Sequence, residues 1–217
     1  MTTQDRSQFS SDNILFVQIP PGDATFEDGH VEFVPGFAVS RSCVTVEMFE
    51  VFCTATGYIT VAERHRRGGF RLNELIEHRS APDQRRSPAF MMSREDVDQW
   101  LRWKGGYRLP SEAEWMRAAV LDQTKYDWRR RGFCPWRNAD TGWNLSALSL
   151  AHAIAVEGQE LTGTTMGERT VCRSGPLQHL EPNWEEYEED NRRLLGQREF
   201  GLFTCFRIVV IRSGDEN

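Results

Sequence analysis

Alternating apolar and polar positions near the N-terminus predict short β-strands. The run Ile14–Ile19 alternates as a half-buried strand does, and it stops at Pro20, Pro21 and Gly22. Val31–Ser40 has the character of a second strand, and residues 22–29 between the two runs predict a turn or hairpin. The chain therefore opens with β structure.

Two helices follow, each with a preferred N-cap residue. Thr45 begins the first and Gly57 ends it, as a glycine in the C′ position does. Ser93 begins the second, with Asp96 at the third helical position, and Gly105 stops it. Apolar residues share one face of each helix: Met48, Phe49, Phe52 and Cys53 in the first, Val97, Trp100 and Leu101 in the second.

The most distinctive stretch is the octet Arg-Leu-Pro-Ser-Glu-Ala-Glu-Trp at residues 108–115. Pro110 favours an extended conformation before it, and Ser111 with Glu114 forms the Ser-x-x-Glu pattern of a capping box. The octet predicts a tight turn leading into a third helix that carries Trp115 inward. We assign Arg108, Ser111, Glu112, Glu114 and Trp115 structural roles.

Less regular patterns fill the rest of the chain. Tyr58–Glu63, Glu168–Arg173 and Gln197–Ile211 favour strands, and Glu185–Leu195 favours a polar helix. Leu145–Val156 fits either a helix or two short apolar segments, and its periodicity does not decide between them.

Length and composition fit one globular domain. Of the 217 residues 39% are hydrophobic and 27% are charged, and the net charge is −6. That charge argues against nucleic acid or an anionic membrane as the main partner. We expect a domain over residues 13–212, with a disordered tail at residues 1–12 and a short tail at residues 213–217.

Cysteine usage and the N-terminal residues suggest a cytoplasmic protein. The chain has five cysteines without a Cys-x-x-Cys pair, which suits buried free thiols in a reducing compartment. The first residues lack the apolar segment of a signal peptide, and no stretch is long and apolar enough to span a membrane.

Several blocks resemble the formylglycine-generating enzyme family, also called the sulfatase-modifying-factor domain. The octet at 108–115 is similar to the family signature, and further similar blocks occur in order at residues 16–22, 33–45, 48–63, 87–103 and 205–210. The resemblance implies an α+β fold: a single C-type-lectin-like domain with much irregular structure, closed by pairing of its terminal strands.

The resemblance also implies a chemistry that this chain departs from. The family's enzyme oxidises a cysteine of a sulfatase with oxygen and a copper(I) ion held by two thiolates, a ligand set that suits a soft metal. The matching positions fall near His179 and Trp184, and no cysteine lies between Cys172 and Cys205. A contact between Cys172 and Cys205 on neighbouring strands is the alternative that would keep a thiol pair; two buried small side chains is the simpler interpretation.

The family also binds calcium, through a block that is absent from the corresponding stretch, residues 158–167. Asn138, Asp140 and Asn144 offer oxygen ligands that suit calcium, although ordinary turn residues explain this spacing better. We expect no cofactor, with calcium as the alternative. Arg207 is expected to make a structural salt link to Glu112 or Glu114.

Two function classes follow. The first is a non-catalytic module that binds a protein partner, in a bacterial signalling or defence assembly as family members suggest. Its recognition surface would be the arginine-rich segment 64–86 and the acidic segment 181–190, although a solvated loop or helix face is the simpler interpretation of each run. The candidate ligand-binding residues are Arg67, Arg71, Trp143, His179 and Trp184. The second class is a metal-dependent oxidase acting on a cysteine-containing substrate.

Overall fold

The fold is described from a computed structural model of the chain. The structure describes residues 14–26, 28–65, 67, 69–70, 88–123, 159–173, 192–201 and 204–211. The expected tails at 1–12 and 213–217, and the undecided segment Leu145–Val156, lie outside these residues.

One four-stranded antiparallel sheet joins the two ends of the domain. Its strands are β1 (Phe16–Ile19), β4 (Phe37–Ser40), β5 (Tyr107–Arg108) and β10 (Val209–Val210), in the order β1-β4-β10-β5. Phe16 pairs with Ser40, and Val209 pairs with both Val39 and Arg108. The first and last strands therefore share a sheet, but the expected direct pairing of terminal strands is wrong, because β4 lies between them.

A hairpin precedes this sheet's second strand. It consists of β2 (Gly22–Thr25) and β3 (Val31–Val34), paired antiparallel. The predicted strand over Val31–Ser40 is thus two strands, β3 and β4, separated at residues 35–36. Gly36 passes close to the preceding chain, because a Cβ there would lie 3.2 Å from the carbonyl oxygen of Ile19 and 3.1 Å from Pro21.

A second four-stranded sheet is built from the C-terminal part of the chain. It contains β6 (Gln159–Met166), β7 (Arg169–Arg173), β8 (Arg192–Leu195) and β9 (Thr204–Phe206), in the order β8-β7-β6-β9. The β6–β9 pair is parallel, and the other two pairs are antiparallel. The predicted polar helix at Glu185–Leu195 is wrong over residues 192–195, because these residues pair with β7 as a strand.

Helices begin where the capping residues predict them, with one exception. Thr45 caps α1 (Val46–Thr56) and Ser93 caps α3 (Arg94–Lys104), where Asp96 completes a capping box. The predicted strand Tyr58–Glu63 is instead a turn into the short helix α2 (Val61–Arg64), because Thr60 and Glu63 form a second capping box. Local side chain-to-backbone bonds therefore outweigh the strand propensity of this stretch.

The octet forms the turn into helix α4 (Glu112–Gln123), as its capping pattern predicts. This helix packs on the β2–β3 hairpin through the first of two cores, which includes Ala24, Val34, Trp115 and Met116. The second core lies between α1, α3 and the C-terminal sheet, and includes Phe49, Trp100, Leu161 and Phe206. None of the helices in the described part of the chain is long and apolar enough to span a bilayer.

Candidate functional site

A charged pair lies where the two cores meet. Arg207 follows β9, and its Nε donates to both carboxylate oxygens of Glu160 on β6, at 3.0 and 2.9 Å. Both side chains are 1% exposed. The Nη1 atom of Arg207 also donates to the carbonyl oxygens of Ser40 and Arg41, at 3.4 and 2.6 Å, which ties the end of β4 to the C-terminal sheet.

Electrostatics keeps the Arg207 guanidinium charged. Burial disfavours the charged guanidinium, but the neighbouring Glu160 carboxylate outweighs it and raises the pKa of Arg207 above its ordinary value. A buried charge without a partner would cost several kcal/mol, on the order of the penalty for desolvating one ion. Glu160 is therefore the residue that permits an arginine at this position.

Two further groups surround the Glu160 carboxylate. Trp115 of α4 donates from Nε1 to Oε2 at 3.2 Å, and the Cys43 thiol donates to Oε1 over 3.6 Å. The Cys43 sulfur lies 3.4 Å from the Cys205 sulfur. We call Cys43, Trp115, Glu160, Cys205 and Arg207 the buried polar cluster.

The thiols of this cluster are closed off from solvent. Cys43 is 3% exposed and Cys205 is fully buried. The hydrogen bond with Cys43, and then burial, raise the pKa of Cys205 well above its ordinary value. Cys205 is thus a neutral thiol in the folded protein, with low nucleophilic reactivity.

The expected link from Arg207 to Glu112 or Glu114 is wrong. The Glu112 carboxylate instead accepts hydrogen bonds from Nε and Nη2 of Arg192, at 2.6 and 2.9 Å. The Nη1 atom of Arg173 lies 3.4 Å from Oε1 of the same carboxylate. The reason is the strand order of the second sheet. Glu160 on β6 is the direct pairing partner of Cys205 on β9, so its carboxylate lies within reach of Arg207, which follows β9.

The capping box at the start of α4 is confirmed. Ser111 Oγ accepts from the Glu114 amide at 3.1 Å, and Glu114 Oε2 accepts from the Ser111 amide at 2.7 Å. Arg108 adds two bonds to the Glu114 carboxylate, at 2.6 and 2.7 Å. The Glu112 amide donates to Thr164 Oγ1 at 2.8 Å, which fixes the helix start on β6.

Cys172 and Cys205 do not meet. β6 lies between their strands, with Cys172 opposite Leu161 and Cys205 opposite Glu160. Because Glu160 and Leu161 are consecutive in one strand, their side chains leave opposite faces of the sheet, and so do those of their partners. The alternative thiol pair considered from sequence is therefore wrong; Cys205 meets Cys43 instead.

Copper does not fit the thiols that the structure brings together. The ligand atoms of Cys43, Glu160 and Cys205 all lie within 4.8 Å of one another. However, the carboxylate is already engaged by Arg207 and Trp115, and the guanidinium places a positive charge beside any cation. The cluster also lacks an open position at which a substrate could reach a metal ion. The cluster therefore does not support copper-dependent oxidation.

Most of the predicted ligand-binding residues fall outside the described part of the chain. Arg67 is described, and it is exposed just after α2. Arg71, Trp143, His179 and Trp184 lie outside, as do the calcium candidates Asn138, Asp140 and Asn144.

The ends of two long connections are nevertheless fixed. Residues 71–87 connect Phe70 to Pro88. The chain before and after this segment lies close together, because the Phe90 amide donates to the Phe70 carbonyl at 3.1 Å. Residues 174–191 leave at Arg173 and return at Arg192, which is its direct partner across β7 and β8. The two ends of each connecting segment therefore lie next to each other in the described part of the chain.

Sequence reasoning missed Glu160 and Cys43. Because an acidic residue in a core strand is unusual unless it is paired, Glu160 could have been considered as a partner of Arg207 beside Glu112 and Glu114. Cys43 gave no such signal, because its role depends on a contact with a residue 162 positions away.

The comparisons with known proteins agree with this architecture. Residues 4–163 match the family described as the sulfatase-modifying factor enzyme 1-like domain. The chain is similar in structure to PvdO from Pseudomonas aeruginosa, with a TM-score of 0.54, 18% identity and coverage of 90% of this chain and 93% of that one. It is also similar to CarF, with a TM-score of 0.50, 13% identity and coverage of 92% and 99% respectively.

No curated protein matches the sequence. The two structural likenesses establish the fold, and the family match covers well over half of the chain. On these grounds, the chain belongs to the family of the sulfatase-modifying factor enzyme 1-like domain and has its C-type-lectin-like α+β fold.

Proposed function

We propose that this chain is a non-catalytic binding module, a pseudoenzyme of its family that recognises a protein partner, in a bacterial signalling or defence assembly. The observation that carries the proposal is the state of its thiols. The sequence has no cysteine from residue 173 to 204, where the family's thiol pair would lie. Among the described residues, the thiols that meet are Cys43 and Cys205, and both are buried against an ion pair.

The arrangement of the connections supports recognition. The segment 174–191 is held at both ends by Arg173 and Arg192, and both arginines contact the Glu112 carboxylate at the start of α4. A recognition segment on a fixed stem loses less conformational entropy on binding than one on a mobile stem. This arrangement is typical of recognition surfaces in which connecting segments carry the binding residues and the packed domain holds the segments in position.

The two segments of the proposed recognition surface carry opposite charges. Residues 181–190 hold five glutamates and one aspartate without a basic residue, and residues 64–86 hold seven arginines. Acidic and basic patches of this density steer charged partners and increase association rates. We infer a partner with a basic surface for the acidic segment 181–190.

Partner capture from the native host tests this proposal. The test variant neutralises the acidic segment by changing its glutamates to glutamine and Asp190 to asparagine. A control matched in the number of charges removed neutralises six exposed acids outside the segment: Asp23, Asp28, Glu32, Glu47, Glu168 and Glu199. We expect one partner to be captured by wild type and by the control, and to be lost with the test variant.

Two results would contradict the binding function. One is capture of no partner, or equal capture by the test variant. The other is stoichiometric copper or iron in the purified chain together with oxidation of a cysteine-containing peptide, which would favour the oxidase.

A further inference from the structure

The buried polar cluster contains a pair of thiols that the proposed function does not use. Cys43 lies between β4 and α1, and Cys205 is the central residue of β9. Their sulfur atoms are 3.4 Å apart, in van der Waals contact. The backbones run side by side at this point, because the Val44 amide donates to the Phe206 carbonyl at 2.9 Å.

We propose that Cys43 and Cys205 are a modification site: they form a disulfide bond when the chain folds in the presence of a small-molecule disulfide such as glutathione disulfide. Disulfides require neighbouring backbones whose side chains point towards each other, and the Val44–Phe206 bond and the sulfur contact supply both conditions. The proposal is independent of the partner-binding function.

The cluster can lose both thiol protons without leaving a buried group unsatisfied. Cys43 donates to Glu160 Oε1, and that bond disappears on oxidation. Glu160 keeps the two bonds from Arg207 and the bond from Trp115. The ion pair therefore remains intact around the new disulfide.

A metal ion is the competing use of the same three groups. Zinc needs four ligands in a structural site, and the cluster offers two sulfurs and one carboxylate. The carboxylate also has a guanidinium at 3.0 Å from the oxygen that faces Cys43. The disulfide needs neither a further ligand nor a change in the ion pair.

The reaction is a thiol–disulfide exchange with two steps. One cysteine thiolate attacks a sulfur of glutathione disulfide, forms a mixed disulfide and releases one glutathione. The second cysteine thiolate then attacks the protein sulfur and releases the other glutathione. Two electrons and two protons pass from the cysteine pair to the two glutathione molecules, and the protein disulfide is the oxidised product.

Exchange should take place mainly during folding. Both thiols are buried in the native chain, and Cys205 is held in its neutral form. The thiolate is the reactive species, so the folded pair reacts slowly and the unfolded or partly folded pair reacts faster. The bond would close a loop spanning 162 positions between the two ends of the domain.

Refolding of the full chain tests the proposal. Reduced, unfolded protein is refolded in a mixture of reduced and oxidised glutathione, then alkylated in denaturant, where the buried thiols become accessible, and digested without reduction. We expect a cross-linked peptide pair containing Cys43 and Cys205, and a melting temperature roughly 5–15 °C above that of the same sample after reduction.

Variants separate this pair from the other cysteines. Cys205→Ala should abolish both the cross-link and the redox-dependent shift in melting temperature. Cys172→Ala is the matched control, because Cys172 is equally buried but lies on the other face of the sheet. It should keep both. Wild-type protein that refolds with Cys43 and Cys205 still alkylatable, or cross-linked to other cysteines, would overturn the proposal without any variant being needed.

Discussion

Arg207 and Glu160 form a buried ion pair that joins the segment after β9 to strand β6. The Nε atom of Arg207 lies 3.0 and 2.9 Å from the two Glu160 oxygens, and both side chains are almost fully buried. Arg207 also holds the carbonyls of Ser40 and Arg41. This pair fixes the first sheet relative to the second.

Removing the negative charge should destabilise the fold strongly. Glu160→Gln leaves the Arg207 guanidinium buried without its counter-ion, and we expect a loss of about 3–5 kcal/mol in the free energy of unfolding. Urea unfolding measures this loss. Arg198→Gln is the control, because Arg198 is 72% exposed where it pairs with Glu95, and it should cost less than about 1 kcal/mol.

A double variant tests the cause of that loss. If the unpaired charge is responsible, replacing both partners by apolar residues of similar size, as in Glu160→Leu with Arg207→Met, should recover part of the stability. A double variant that is less stable than Glu160→Gln would show that the hydrogen bonds to Ser40, Arg41 and Trp115 dominate instead.

The indole of Trp115 should contribute through its hydrogen bond. Trp115→Phe removes the donor to Glu160 Oε2, which lies 3.2 Å away. Trp100 is a matched control, because it is also buried and its Nε1 has no hydrogen-bond partner among the described residues. We expect Trp115→Phe to cost roughly 1–3 kcal/mol more than Trp100→Phe in chemical denaturation. Equal losses would mean that only ring packing matters.

The capping box should stabilise the start of α4 independently of packing. Ser111→Ala removes the oxygen that accepts from the Glu114 amide, and a loss of about 1 kcal/mol is expected. Ser111→Asn retains a capping oxygen and should stay close to wild type. Thermal unfolding by circular dichroism checks both variants, and equal losses in the two would contradict the capping role.

Tyr58 should make stability depend on pH in the alkaline range. Its hydroxyl donates to Asp96 Oδ1 at 2.9 Å, and burial and then the Asp96 charge raise the pKa of Tyr58 above its ordinary value of 10.0. Because the folded-state pKa is raised, the stabilisation is fully present below pH 10 and is lost as the pH rises from there towards the folded-state value.

The comparison with Tyr58→Phe isolates this effect. Wild type should be more stable than Tyr58→Phe by about 1 kcal/mol at pH 7, and the difference should shrink as the pH rises above 10. Urea unfolding of both proteins across this range measures it. A difference that stays constant or grows with pH would contradict the assignment.

The starts of the three longer helices could be predicted from the sequence, because the capping hydrogen bonds join residues that are close together in the chain. Thr45, Ser93 and Ser111 each mark a helix start through bonds that span three residues. The strand predicted at Tyr58–Glu63 is wrong for the same kind of reason, since Thr60 and Glu63 form a capping box whose local bonds outweigh the strand propensity of this stretch.

The buried polar cluster could not be predicted, because its contacts are non-local. Arg207 pairs with Glu160 across 47 positions, and Cys43 meets Cys205 across 162. The sequence analysis predicted a link from Arg207 to Glu112 or Glu114. The fold instead directs these acids to Arg192 and Arg108, and leaves the β6 carboxylate for Arg207.

A copper and oxygen assay tests most directly the central claim, that this family fold operates here without thiolate–copper chemistry. The full-length chain is treated with copper(I), desalted, and mixed with a cysteine-containing peptide while oxygen uptake and peptide mass are followed. We predict no stoichiometric copper retention, and neither oxygen uptake nor peptide oxidation above a protein-free control. Copper retained at one ion per chain, together with conversion of the peptide cysteine to an aldehyde, would contradict the account.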